Sequence, residues 1–140
     1  MGMKRNESIS KIMTSEVQTV HVGQKLSEVR RQLADNAYHH VPVVSGKQLV
    51  GMISATDMLR LSLAVYGVDE RALDAMLDSQ HTIESVMTKE LTTLSAKDTV
   101  RHAAEVLGEG RFHSLPVVED GDLVGLVTTT DLIRYLLAQY

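Results

Sequence analysis

Leu49-Val50-Gly51-Met52-Ile53-Ser54-Ala55-Thr56-Asp57 is written a second time as Leu123-Val124-Gly125-Leu126-Val127-Thr128-Thr129-Thr130-Asp131. In both places a β-rich run passes straight into a Thr-Asp pair, so a strand feeds a helix with no loop between them. The 74-residue offset holds outward from this stretch: Ile9 to Tyr66 matches Ile83 to Tyr140 without insertion or deletion. Met13-Thr14 returns as Met87-Thr88, and Pro42-Val43-Val44 as Pro116-Val117-Val118. The chain is therefore two copies of one unit, 8–66 and 82–140, joined by a linker over 67–81.

Repeated apolar residues such as Val43 and Leu49 follow from two copies of one core. The repeated polar ones, Thr14, His39, Thr56, Asp57 and Arg60, do not, because a core has no use for them. Units of about 60 residues are only marginally stable alone, so each half is expected to need the other.

The pattern inside one copy gives the fold. Glu16 to Val22 reads as an extended segment, and Lys25 to Ala37 places Leu26, Val29 and Leu33 at helical spacing. Asn36 and its counterpart Gly110 share the left-handed conformation that stops helices. In the second copy Asp98 is the expected N-cap, ahead of Val100, Ala103, Ala104 and Leu107; Gly23-Gln24 is the weaker start in the first. Val41 to Val44 and Leu49 to Ile53 form a hairpin across Ser45-Gly46-Lys47-Gln48, as their counterparts do across Glu119-Asp120-Gly121-Asp122. Thr56 is placed to cap a helix carrying Leu59, Leu63 and Tyr66. The order β-α-β-β-α predicts an α/β (α+β) protein whose two pseudo-twofold copies pack sheet to sheet. In the linker, Asp69 caps a helix with Ala72, Leu73, Met76 and Leu77 on one face, which either covers the module or meets a second copy of the chain.

Composition excludes several functions. A formal charge of −4 argues against a nucleic-acid backbone as partner, and the one basic doublet after the N-terminus, Arg30-Arg31, reads as a solvated helix face. The absence of cysteine removes thiolate nucleophiles, thiolate metal sites and disulfides, and suits the cytoplasm. No apolar run approaches the roughly 20 residues of a membrane helix, and 1–8 lacks a signal-peptide core. There is no nucleophile elbow, no Walker loop and no His-x-x-x-His, so no catalytic residues are assigned and no enzyme is expected.

Met-Thr, a strand, a helix, His-x-hydrophobic-Pro-Val-Val, a turn, Leu-Val-Gly and Ser/Thr-x-Thr-Asp together resemble the cystathionine β-synthase (CBS) domain, and two in tandem are similar to a Bateman module. The resemblance implies a stand-alone regulatory module binding AMP, ADP or ATP, with or without Mg²⁺, in clefts between the repeats and signalling to a partner protein. It also implies a homodimer of modules, consistent with apolar residues on more than one face of Leu132 to Leu137. The alternatives are a ligand-free scaffold and a module for S-adenosylmethionine or NAD.

The family's ribose signature falls on Ser54, Thr56 and Asp57 and on Thr128, Thr130 and Asp131. An ionised carboxylate can accept from both hydroxyls of a ribose, and a strand-end hydroxyl three residues earlier can meet the sugar or a phosphate. The structural alternative is an Asp favoured in the first turn of its helix by about 0.3–1 kcal/mol. Phosphate contacts implied by the family fall on His39, His40, His113 and Ser114, with Arg111 as the nearby cation. Where many relatives carry Arg or Lys this chain carries imidazole, so phosphate affinity is expected to rise as imidazole protonates. Neighbouring strand residues point to opposite faces, which disfavours a His metal site. Adenine walls implied by the family are Thr14, Val17 and Thr19 with Thr88, Leu91 and Thr93, while Met13 and Met87 are expected as core filler.

Overall fold

The computed structural model describes residues 7–36, 39–65 and 67–140. Each copy forms the expected mixed sheet. In the first, β1 (Val20–His21) runs parallel to β2 (His40–Ser45), which is antiparallel to β3 (Gln48–Ser54); α1 (Leu26–Asp35) joins β1 to β2, and α2 (Ala55–Leu63) follows β3. The linker holds α3 (Glu70–Gln80), and a short α4 (Ile83–Val86) begins the second copy. There β4 (Leu94–Ser95), α5 (Val100–Gly108), β5 (Ser114–Glu119), β6 (Asp122–Thr128) and α6 (Thr129–Leu137) repeat the pattern, with a register shift after Val117 matching the one after Val43. The two-residue turns need left-handed backbone, supplied by Gly46 (φ 63°) in one hairpin and by Asp120 (φ 53°) with Gly121 (φ 85°) in the other.

The compact units do not follow the repeat boundary. A central unit comprises Gln18–Leu91, and a terminal unit combines Met1–Val17 with Thr92–Tyr140. Each repeat thus gives its opening segment to the other. Ile83, fully buried, belongs to the core of Val20, Leu26, Val29, Val41, Val43 and Ile53; its counterpart Ile9 belongs to the core of Leu94, Val100, Leu115, Val117 and Val127. Fully burying a side chain of this size is worth about 1.5–3 kcal/mol. Sequence reading missed this exchange because a repeat offset records which residues correspond, not which residues touch.

Several local expectations change. The extended segment over 16–22 narrows to Val20–His21. Asn36 is extended (φ −127°), with Nδ2 donating to Gln32 O, so only Gly110 (φ 82°) takes the left-handed conformation; Ala37 lies outside the described residues. Thr99, not Asp98, caps α5 through His102 N. Asp98 instead accepts from Ser95 N at 2.7 Å, as its counterpart Gln24 accepts from His21 N at 2.7 Å, so both tie the strand end to the approach of the helix. Leu59 and Leu63 of α2 are exposed and Met58 is its buried residue, because α2 turns the opposite face to the core; Tyr66 lies outside the described residues. Asp69 caps α3 through Ala72 N, as expected.

Arg30-Arg31 is a solvated face only in part: Arg31 is 61% exposed, but the Arg30 side chain is 16% exposed and both are paired. Arg30 Nε and Arg31 Nη2 lie 2.7 and 2.9 Å from the two carboxylate oxygens of Asp74 on α3, and Arg30 Nη2 lies 2.9 Å from Glu70. The doublet pairs with the linker helix, so the linker covers α1 within the central unit. The Arg30 hydrogen bond, reinforced by Arg31 and opposed by burial, holds the Asp74 carboxyl below the usual carboxylate range. A carboxyl depressed by folding stabilises the native state above its unfolded pKa, and that stability is lost as pH falls through the lower folded value. Urea denaturation across the acid range should therefore show the wild type losing a component of stability that Asp74→Asn lacks at every pH. Parallel curves for the two proteins would refute the assignment.

Candidate functional site

The strand-to-helix junctions organise both copies alike. Ser54 is the N-cap of α2: its Oγ accepts from Asp57 N at 3.0 Å, and Asp57 Oδ2 accepts from Ser54 N at 3.0 Å. Thr128 and Asp131 form the same reciprocal box on α6, at 3.0 and 2.9 Å. Thr56 therefore does not cap; it and Thr130 stand exposed one residue before their aspartates. The expectation of Thr56 as cap fails because a residue two places earlier already supplies the oxygen in the geometry that reaches the third helical N–H. This box is also a structural reason for Ser/Thr-x-x-Asp in both copies. It occupies one oxygen of each carboxylate, and Oδ1 of each Asp makes no hydrogen bond among the described residues.

Hairpin register brings the proposed phosphate residues to the same junctions. His40 pairs with Ser54 and Ser114 with Thr128. His39 O accepts from Ala55 N at 2.8 Å and His113 O from Thr129 N at 3.0 Å, tying each histidine to the first turn of the following helix. Ser114 Oγ is buried and has no hydrogen-bond partner, the one such side-chain atom among the described residues. Leaving a buried hydroxyl unpaired costs about 1–3 kcal/mol. Arg111 lies nearby and exposed, with Nη2 3.0 Å from Glu109 and its guanidinium over the Phe112 ring at 5.5 Å.

The exchange of opening segments decides which adenine-wall candidates reach which junction. Thr88 pairs with Met52 through two backbone bonds of 2.9 and 3.0 Å, two residues before Ser54; Thr14 pairs with Leu126 through bonds of 2.8 and 2.9 Å, two residues before Thr128. The central unit thus gathers Thr19, Thr88 and Leu91 with Asp57, and the terminal unit gathers Thr14, Val17 and Thr93 with Asp131. Thr19 and Thr93 lead into β1 and β4, across the middle strand from β3 and β6. Met13 and Met87 are core residues of a specific kind. A Cβ on Gly51 would lie 2.5 Å from Met87 Sδ, and one on Gly125 would lie 2.6 Å from Met13 Sδ. The glycine of each Leu-Val-Gly is the seat for the methionine of the other copy's Met-Thr.

The CBS domain family matches this chain at residues 9–64 and 83–138. Among curated proteins, the uncharacterized protein MJ1225 of Methanocaldococcus jannaschii is 26% identical over 132 residues, covering 93% of this chain and 47% of the relative. The chain thus spans about half the length of that relative. Among solved structures, the CBS domain pair of protein MJ0100, in complex with 5′-methylthioadenosine and S-adenosyl-L-methionine, has a TM-score of 0.74 at 25% identity, covering 95% of this chain and 98% of that one. CBSX2 in complex with AMP, a protein of Arabidopsis thaliana, has a TM-score of 0.78 at 23% identity, covering 95% and 98%, and shows the shared fold.

Because the Gly51 seat is filled by Met87, Gly51→Ala should destabilise the protein by about 1–3 kcal/mol. Adding Met87→Ala removes the clash, so the double variant should be more stable than the sum of the two single changes predicts. Chemical denaturation of the four proteins measures this coupling; strict additivity would exclude the contact.

Proposed function

Since the chain belongs to the CBS domain family, we propose that it is a non-catalytic regulatory module that binds adenosine-containing ligands, AMP, ADP or ATP, and signals their presence to a partner protein. The observation that carries this reading is the gathering, in each unit, of an aspartate with one uncommitted oxygen, a strand-end hydroxyl and a histidine at the first turn of one helix. The free oxygen is suited to ribose hydroxyls, and the helix N-terminus favours an anion beside it. Thr88 and Thr14 bound the site on the side of β3 and β6. Ser114 Oγ, buried and unpaired, supplies a donor for a ligand oxygen. The adenosine compounds bound by MJ0100 support the ligand class.

Two specific observations support narrower or different readings. Histidine and serine stand at the expected phosphate positions, with the exposed Arg111 beside Glu109 as the nearby cation, a set that favours phosphate-poor ligands such as S-adenosylmethionine over ATP, with NAD between them and Mg²⁺ as a source of missing charge. The capping boxes give Ser54, Asp57, Thr128 and Asp131 a structural task, which favours a ligand-free scaffold. A thermal-shift panel of AMP, ADP, ATP, S-adenosylmethionine and NAD, with and without Mg²⁺, separates these readings. A ligand at 100 times its Kd adds about 2.7 kcal/mol to native stability. The combined Asp57→Asn and Asp131→Asn variant keeps a cap acceptor but loses the charge, so its unliganded melting temperature should stay close to wild type while the ligand shift disappears. No shift with any compound would establish the scaffold reading.

We further read the module as a homodimer. Leu59 and Leu63 on α2 of the central unit, and Ile133, Leu136 and Leu137 on α6 of the terminal unit, leave large apolar side chains 43–66% exposed, so each unit carries a helix face suited to a second copy. Light scattering at about tens of micromolar, where a stable dimer persists, should give twice the chain mass, and replacing Leu63 and Leu137 by Glu should reduce it to one.

A further inference from the structure

The two copies diverge where α1 meets the linker helix. Ser27, Arg30 and Arg31 lie on one face of α1, and their counterparts on α5 are Arg101, Ala104 and Glu105. Across from them Glu70, Asp74 and Asp78 recur every fourth residue along one face of α3. Asp74 takes both arginines, and Asp78 takes Ser27: Oδ1 accepts from Ser27 N at 2.9 Å and Oδ2 from Ser27 Oγ at 2.7 Å. Lys25, the N-cap residue of α1, makes no side-chain capping bond, whereas Thr99 caps α5 itself. The cap that α1 lacks is delivered by Asp78 from another helix.

This clamp continues without a break into the Thr88 side of the candidate site. Leu77, one residue from Asp78, is 2% exposed in the central core. The chain leaves α3 at His81, whose N–H bonds to Leu77 O, and Thr82 immediately caps α4. Ile83 is buried in the same core, Met87 N bonds to Ile83 O, and Met87 seats on Gly51 so that Thr88 can pair with Met52. In the terminal unit the matching segment is attached differently, by backbone bonds from Ile9 N to Asp98 O at 3.0 Å and from Val100 N to Glu7 O at 2.8 Å.

We propose that α3 is a positioning strap: Asp74 and Asp78 lock it across α1, and through α4 this fixes Thr88 against β3, so that the strap sets the ligand affinity of the Asp57 site and not of the Asp131 site. The affinity part rests on the adenosine-binding reading; the positioning part stands without it. Neither Asp74 nor Asp78 would touch the ligand, so both are positioning residues.

Hydrogen exchange on the full chain, without ligand, tests the positioning directly. In Asp74→Ala with Asp78→Ala, the Thr88 and Met52 amides should exchange about tenfold faster or more, the scale of losing one charge-assisted hydrogen bond, while Thr14 and Leu126 stay as in wild type. Asp78→Asn keeps an acceptor for Ser27 N and should restore part of the protection. Should the double variant unfold, seen as lost protection at Val43, Ser27→Ala with Arg31→Gln loosens the same clamp more gently and decides by the same amides. Unchanged exchange at Thr88 and Met52 while the α3 amides speed up would overturn the proposal. Titration of AMP or S-adenosylmethionine into strap variants carrying Asp131→Asn should show weaker binding than Asp131→Asn alone, and strap variants carrying Asp57→Asn should match Asp57→Asn alone. Equal effects on both sites would overturn selectivity, whereas no binding to wild type would refute the ligand reading and leave the exchange result to decide the strap.

Discussion

The seating of a methionine on a glycine from the other repeat is the contact on which the rest of this protein depends. Met87 lies on Gly51 and Met13 on Gly125, closely enough that any side chain at the glycine would collide with sulfur. The contact brings Thr88 and Thr14 into two-bond bridges with β3 and β6, and it draws Ile83 and Ile9 into cores that their own repeats do not build. A fragment cut at the repeat boundary would keep the hairpin and lose a buried isoleucine and the methionine over its glycine. Duplication is therefore a folding requirement, since each copy is completed by the other's first residues.

The same economy appears at the helix starts. Ser54 with Asp57, and Thr128 with Asp131, each satisfy two backbone donors that would otherwise be left at a helix N-terminus, and they do so with one hydroxyl and one carboxylate oxygen. The box accounts for these residues without a ligand, yet it leaves one oxygen of each carboxylate open to one. The box fixes the rotamer of the aspartate, and a carboxylate held in one orientation would lose less entropy on accepting a further hydrogen bond at its second oxygen.

Most of the architecture was legible because a duplicated chain presents its pattern twice. Strand, helix, hairpin and helix could be placed from periodicity, and the polar matches His39 with His113 and Asp57 with Asp131 identified residues that the hairpin register brings to one junction. What periodicity hid was contact between segments far apart in the chain. Periodicity did not say which aspartate each candidate adenine wall accompanies, and Thr14 of the first copy is paired beside the helix of Asp131. The Arg30-Arg31 doublet looked solvated because its partners, Glu70 and Asp74, lie in the one stretch with no counterpart to compare. Caps shifted by a residue or two for a different reason: several hydroxyl and acidic residues crowd each helix start, and backbone geometry chooses among them. The usable signal lay in where the copies disagree, since Ser27, Arg30 and Arg31 depart from Arg101, Ala104 and Glu105 at the positions that meet α3.

That disagreement separates the two strand-to-helix junctions physically. The Asp131 junction has its Thr14 edge attached through backbone bonds to the start of α5, which do not depend on side-chain charge. The Asp57 junction has its Thr88 edge attached through a helix whose polar hold on α1 consists of three carboxylates, two guanidinium groups and one serine. Backbone pairing is set once by the fold, while a side-chain clamp changes with charge and with anything that competes for those groups. Two junctions with the same capping box can therefore differ in how readily they are disturbed, and the more adjustable one is the junction reached through the linker.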